Sequence, residues 1–168
     1  RNFVSASSCG LCGKLTIESV RIQAPPLEDP LEVTSELLYT LPDKMLAEQE
    51  GFGATGAVHA AGLFEARGKL LYLREDIGRH NAVDKLIGQA LLDDRLPLGE
   101  TILIVSGRTS FEIVQKALVA RIPVIAGVSA ASSLAVEMAA SSQMALVGFL
   151  RGKSMNIYTG TERILPSN

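Results

Sequence analysis

The feature that most restricts the fold is an alternation in the second half of the chain, where short apolar runs end in polar loops that open amphipathic helices. Thr101 to Val105 is such a run, followed by Ser106-Gly107-Arg108-Thr109-Ser110 and a helical pattern to about Ala120. Ile122 to Gly127 repeats the scheme, and Ser129-Ala130-Ala131-Ser132-Ser133 opens a second helix to about Ala140. Unbroken aliphatic runs bounded by turn residues read as strands buried on both faces, and strands joined through single helices pair in parallel. Ahead of them, Ala57 to Phe64 and Lys69 to Arg74 flank Ala66-Arg67-Gly68 and read as a hairpin. Between hairpin and first parallel strand, Ala82, Val83, Leu86, Ile87, Ala90 and Leu91 recur at helical spacing over Asn81 to Leu92. Met144 to Phe149 and Met155 to Tyr158 close the chain as strands. A hairpin followed by α/β units predicts an α/β domain with three α/β/α layers on a mixed sheet.

The first part of the chain is less regular. Arg1 to Lys14 is rich in Ser, Gly and Cys and reads as a loop, Ile17 to Ile22 as a short strand, and Ala24 to Pro30 as a connection. Leu41-Pro42-Asp43 is expected to open a helix to about Gly51, with Pro42 in the first turn, where its missing N–H costs little. Residues 1–40 are therefore assigned to a cysteine-containing loop and connection, and residues 41–168 to the folded domain.

Composition sets the function classes. Apolar residues make up 47% of the 168 and charged residues 20%, the balance of a domain with a real core. A net charge of −2 argues against the broad basic surface that nucleic acid requires. No apolar run reaches the roughly 20 residues of a membrane helix, and Arg1 to Ser8 lack the apolar centre of a signal peptide. Because the chain starts at Arg1 and not Met, an amino-terminal region of the full-length protein is expected to be missing. The two cysteines, Cys9 and Cys12, form one C-x-x-C pair. A disulfide scaffold would carry more, so thiol chemistry in a reducing compartment is the expectation.

Three segments carry candidate chemistry. Arg79-His80-Asn81, Ser106 to Ser110 and Ser129 to Ser133 each end a strand and open a helix. Such loops offer free N–H groups at the positive end of a helix dipole, and they sit where open α/β sheets bind ligands. Ser, Thr and Asn there also serve as ordinary caps. Three loops together with Arg79 and Arg108 point to an anion site. Cys9 and Cys12 lie in Ser7-Ser8-Cys9-Gly10-Leu11-Cys12-Gly13-Lys14, whose glycines leave the sulfurs accessible and whose Lys14 favours thiolate. C-x-x-C alone fits redox exchange, half a zinc site or sulfur transfer. A closed zinc site would use nearly every Cys and His in the chain, since only His59 and His80 remain. A thioredoxin-type pair should follow a strand and open a helix, a setting absent here. His59, inside the first hairpin strand, reads as a structural residue first and a ligand second.

Taken in order, Ser7–Lys14 (SSCGLCGK), Thr55–Phe64 (TGAVHAAGLF), Leu73–Lys85 (LREDIGRHNAVDK), Ser106–Ala117 (SGRTSFEIVQKA), Ser129–Val136 (SAASSLAV) and Gly148–Thr159 (GFLRGKSMNIYT) resemble the formate dehydrogenase accessory sulfurtransferases of the FdhD type. The resemblance implies a cytidine-deaminase-like fold, used without its chemistry. Zinc deaminases carry H-x-E and P-C-x-x-C at two strand-to-helix junctions. The corresponding positions here read His80-Asn81-Ala82 and Ser106-Gly107-Arg108-Thr109, so no intrinsic zinc is expected. It further implies that a cysteine desulfurase loads sulfur onto Cys9 as a persulfide, with the role of Cys12 open. The sulfur then passes to molybdenum bis(molybdopterin guanine dinucleotide), carried as cargo for the formate dehydrogenase catalytic subunit. Cofactor binding maps by resemblance to Phe149, Leu150, Arg151, Gly152, Lys153 and Ser154, beside Arg79, His80, Ser106 and Arg108 from the loop reading. A cytoplasmic homodimer without membrane or nucleic-acid partners completes the expectation. A dithiol oxidoreductase and a non-catalytic cofactor-binding chaperone are the alternatives.

Overall fold

The computed structural model describes residues 24–166. A short strand β1 (Val33–Thr34) leads into helices α1 (Ser35–Ala47) and α2 (Glu50–Thr55). The hairpin β2 (His59–Glu65) and β3 (Leu70–Asp76) follows, then α3 (Arg79–Leu92). Two repeats come next: β4 (Thr101–Val105) with α4 (Phe111–Val119), and β5 (Val124–Gly127) with α5 (Ser133–Ser141). Strands β6 (Ala145–Arg151) and β7 (Ser154–Thr159), a 3-10 turn and β8 (Ile164–Leu165) finish the described chain.

Six strands form one sheet in the order β3-β2-β4-β5-β6-β7, with β4, β5 and β6 parallel and the outer pairings antiparallel. Alternation along each strand divides the core in two. Leu103, Val105, Ile125 and Leu146 pack under α3, α4 and α5. Ile102, Ile104, Val124, Ala126 and Val147 face the other way, under Leu38, Leu41 and Met45 of α1. The central strands are buried on both faces, which is why they read as unbroken aliphatic runs. This is the three-layer α/β/α mixed-sheet architecture expected from the sequence. Among the described residues no helix is long and apolar enough to cross a membrane.

The structure differs from the sequence reading at the start of the domain. Helix α1 begins at Ser35, capped by Thr34, whose Oγ1 accepts from the Leu37 N–H at 3.2 Å. Pro42 therefore lies inside the helix, not at its opening. An internal proline removes one backbone bond and crowds the preceding turn. The helix continues because Leu38, Leu41 and Met45 are buried against the sheet on both sides of Pro42. The helix expected to run to Gly51 is in fact two, because α1 stops at Ala47 and α2 follows. Residue 40, placed at a boundary, sits within α1. The segment before it is part of the core: Leu27, Leu31 and Val33 are buried, and the Arg163 guanidinium donates to the carbonyls of Leu27, Asp29 and Leu31.

Candidate functional site

Strands β4 and β5 end side by side, and the loops beyond them are tied together. The Thr109 N–H donates to the Ala130 carbonyl at 3.0 Å, the Ser132 N–H to the Thr109 carbonyl at 3.1 Å, and the Val128 N–H to the Val105 carbonyl at 3.1 Å. Strand β6 joins through the Phe149 N–H, which donates to the Ser129 carbonyl at 3.1 Å. Gly127 allows this closeness, since a Cβ there would lie 2.6 Å from Thr109 Oγ1 and 3.2 Å from the Gly107 carbonyl oxygen. Two of the three loops read from the sequence thus form a single rigid platform at the carboxyl ends of the strands, the usual ligand edge of such sheets. Arg108 projects from it, exposed.

Ser106 starts this platform and binds across to β2. Its Oγ accepts from the Ala60 N–H at 2.8 Å and lies 3.4 Å from His59 Nδ1. Next to it, Gly107 sits between two side chains: a Cβ there would meet His59 at 3.3 Å and Arg79 Cδ at 3.5 Å. His59, treated in the sequence as a structural residue, is therefore at the site.

The first turn of α3 approaches from the other side. Arg79 and His80 are helical and not loop residues, because Gly78 is the N-cap. His80 Nε2 is 3.1 Å from the hydroxyl of Ser110, which caps α4 without a side-chain bond to that helix's backbone. Burial, then the Arg79 charge, hold His80 below the usual imidazole pKa and favour its neutral form. Burial pushes the Glu112 carboxyl up, but the Ser110 hydroxyl, its own N–H, His80 and Arg79 together leave it below the ordinary value. Arg79 Nε is buried without a partner among the described residues, so its guanidinium is only partly satisfied within the fold.

The β6–β7 turn carries the remaining candidates, and the structure distributes them. Leu150 is buried in the α1-side core and anchors the turn. Phe149, with φ of 52°, is turned outward. Arg151 reaches back to the platform, where its Nε donates to the Val128 carbonyl at 2.7 Å. Gly152, with φ of 53°, makes the tight turn possible. Gly152 and Lys153 border a groove along α1 with Glu36, Tyr39 and Asp43, and Ser154 is exposed. Cys9 and Cys12 lie outside the described residues.

Between α1–α2 and the platform is a cleft of about 470 Å³. Met45, Leu46, Phe52 and Val58 give it apolar walls, with His59, Ser106 and Asp43 as polar groups and Val128 at the Arg151 end. Its size and lining are those of a small-molecule site. One wall is set by Glu75 of β3, whose carboxylate accepts from Gln49 Nε2 at 3.1 Å, the Gly51 N–H at 2.7 Å and the Phe52 N–H at 2.9 Å. Burial alone would raise the pKa of Glu75, but these three bonds outweigh it and leave the group below its ordinary value. The contribution of α1 and α2 was not legible in the sequence: nothing in their pattern marks which face overhangs the strand ends.

The fold and the family have counterparts among known proteins. The model of the FdhD/NarQ family matches residues 1–165. The sulfur carrier protein FdhD of Streptomyces coelicolor is 56% identical over 98% of this chain and 59% of its own length. The Saccharolobus solfataricus protein of the same name is 46% identical over 98% of this chain and 62% of its own length. The chain thus spans about three fifths of these relatives. Among solved structures, that of a formate dehydrogenase accessory protein described as putative, from Desulfotalea psychrophila, superposes with a TM-score of 0.75 at 30% identity, covering 84% of this chain and 62% of that one. With a match along almost all its length and relatives above half identity, the chain belongs to the FdhD/NarQ family.

Proposed function

We propose that this protein is a cytoplasmic sulfur carrier which takes sulfur from a cysteine desulfurase onto Cys9 and delivers it to molybdenum bis(molybdopterin guanine dinucleotide) for formate dehydrogenase. The observation that carries the reading is the family match across residues 1–165, which includes Ser7 to Lys14 with the cysteine pair. In the loading step the Cys9 thiolate attacks the outer sulfur of the desulfurase persulfide, and the desulfurase cysteine leaves as thiolate. No net oxidation occurs. Releasing that sulfur as sulfide takes two electrons. A Cys12 thiolate attacking the inner sulfur supplies them and leaves a Cys9–Cys12 disulfide for an external dithiol to reduce.

The described residues suit the cargo. Arg151 and Arg108 stand at the platform and Arg79 beside it, where cations complement phosphate oxygens and guanidinium groups bind them in bidentate fashion. The platform loops are cross-linked before any ligand arrives, so little ordering entropy is lost on binding. Lys153, across the turn from Arg151, extends the positive edge.

Mass spectrometry after exposure to a cysteine desulfurase and cysteine should find a sulfur adduct of about +32 Da on the Cys9 peptide, as expected for a persulfide. Cys9→Ala should lose the adduct and fail to mature formate dehydrogenase. Normal maturation by Cys9→Ala would refute the assignment.

A further inference from the structure

We propose that Arg121 is a positioning residue for the sulfur transfer: it clamps Pro25 and Pro26 at the foot of α4 and so holds the cysteine-bearing segment within reach of the ligand edge of its own chain. The proposal rests on the sulfur-carrier reading above and adds to it a residue and a direction, delivery within one chain.

Arg121 stands at a helix end where glycine is usual. The Arg121 N–H donates to the Leu118 carbonyl at 3.0 Å and the Ile122 N–H to the Ala117 carbonyl at 2.9 Å. With φ of 66°, Arg121 is thus the left-handed residue of a Schellman turn. An arginine there carries a backbone penalty that glycine would avoid. What it adds is a side chain. The guanidinium donates from Nη1 to the Pro25 carbonyl at 2.7 Å and from Nη2 to the Pro26 carbonyl at 3.0 Å. Successive prolines have φ fixed, and the residue before a proline is held extended, so Ala24 to Pro26 act as a stiff rod gripped at two points. The chain beyond is pinned as well. The Leu27 N–H donates to the Ser142 carbonyl at 3.0 Å, and the Asp29 carboxylate accepts from the Glu100 N–H at 3.0 Å. These partners precede β6 and β4, as Arg121 precedes β5. The cysteine-bearing segment therefore joins the fold at the amino ends of the strands, opposite the platform.

Helix α4 measures the gap. Ser110, its N-cap, belongs to the platform and Arg121 lies just past its C-cap, a separation of about 17 Å at the helical rise per residue. Cys9 is fifteen positions before Ala24, a contour of about 50 Å. The thiol can reach its own platform. Where the rod is fixed decides how often it does, because effective concentration depends on where a tether is anchored.

Cross-linking of the full chain tests this. In the double variant Cys12→Ser, Arg108→Cys, diamide should oxidise Cys9 and the platform thiol to a disulfide within one chain. Mixing a chain whose one thiol is Cys9 with a chain whose one thiol comes from Arg108→Cys should give little linked dimer. Adding Arg121→Gly to the double variant should slow the internal disulfide at least about threefold, as effective concentration falls. Arg121→Lys, one point charge against two carbonyls, should lie between. The thermal midpoint of Arg121→Gly should move little, because glycine relieves the left-handed backbone as the two bonds are lost. With both native cysteines, Arg121→Gly should gain the persulfide adduct like wild type and mature formate dehydrogenase more slowly. An internal disulfide that forms equally fast without the guanidinium, or one that forms only between mixed chains, overturns the proposal. A Cys9 peptide that gains no adduct removes the sulfur-carrier reading instead, and leaves the cross-link rates, which need only two thiols, as they are.

Discussion

Gly127 and Asp76 show how single residues hold the site, and each makes a prediction. An alanine at 127 would place its Cβ 2.6 Å from Thr109 Oγ1 and 3.2 Å from the Gly107 carbonyl oxygen. Side chain and backbone would both have to yield, at a cost of about 1–3 kcal/mol for overpacking. Gly127→Ala should lower the thermal midpoint by several degrees and weaken nucleotide binding. Adding Thr109→Ala, which removes the nearest atom, should recover part of both, and a strictly additive pair would contradict the packing argument. Asp76 accepts from the Gly78 N–H at 2.9 Å and Asn81 Nδ2 at 3.1 Å and pairs with Lys85 at 2.5 Å. Lys85 foremost, then those donors, lower its pKa to about 2. Its folded value lies below the roughly 3.9 of an unfolded aspartate, so its stabilisation is present above pH about 4 and lost as pH falls through about 2. Amide exchange at the start of α3 should stay protected from pH 7 to about 4 and then accelerate, and Asp76→Asn should remove that step. The dense polar run Arg74 to Lys85 marked this junction in the sequence, but not that its carboxylates brace the fold.

At the scale of elements, legibility followed burial. The sequence pattern of strands β4 and β5 and helices α3 to α5 agrees with their bounds to within two or three residues, because each buries a continuous apolar run or stripe. Pro42 reads locally as a start signal, whereas tertiary burial of Leu38 and Met45 carries helix α1 through it. Helix α2 has no buried residue and so no periodic signature. What holds it is Glu75, distant in sequence. Removing that carboxylate in Glu75→Ala leaves the Gly51 and Phe52 N–H groups without their acceptor, and each lost bond costs about 1 kcal/mol at a partly exposed site. Faster amide exchange across residues 50–55 and weaker nucleotide binding should follow, with the core melting little changed. Glu75→Gln, which keeps an acceptor oxygen, should restore much of the protection. If Glu75→Ala binds nucleotide like wild type, α2 is not a working wall of the cleft.

The whole molecule is a sheet covered on both faces whose ligand edge is assembled from segments far apart in the chain. The loops after β4 and β5 were recognisable because polar residues between apolar runs stand out locally. The cleft was not, because only the docking of α1 across the sheet brings Asp43 near His59 and Ser106. That same architecture argues about metal. A zinc deaminase places a ligand and an acid in the first turn of the helix after the hairpin and two cysteines at the next junction. In this chain His80 Nε2 is engaged with Ser110, Ala82 is fully buried in the core, and Ser106 to Ser110 contain no cysteine. Among the described residues no three His, Cys, Asp or Glu side chains converge as a metal site would require. Among the described residues, binding of a phosphorylated ligand should therefore rest on the arginines and the platform loops and not on a metal. Elemental analysis of the purified full chain is expected to find far less than one zinc, and nucleotide affinity should be unchanged after chelation. About one zinc per chain, removed by chelator together with binding, would mean that ligands outside the described residues complete a site. The platform would then serve a metal as well as an anion.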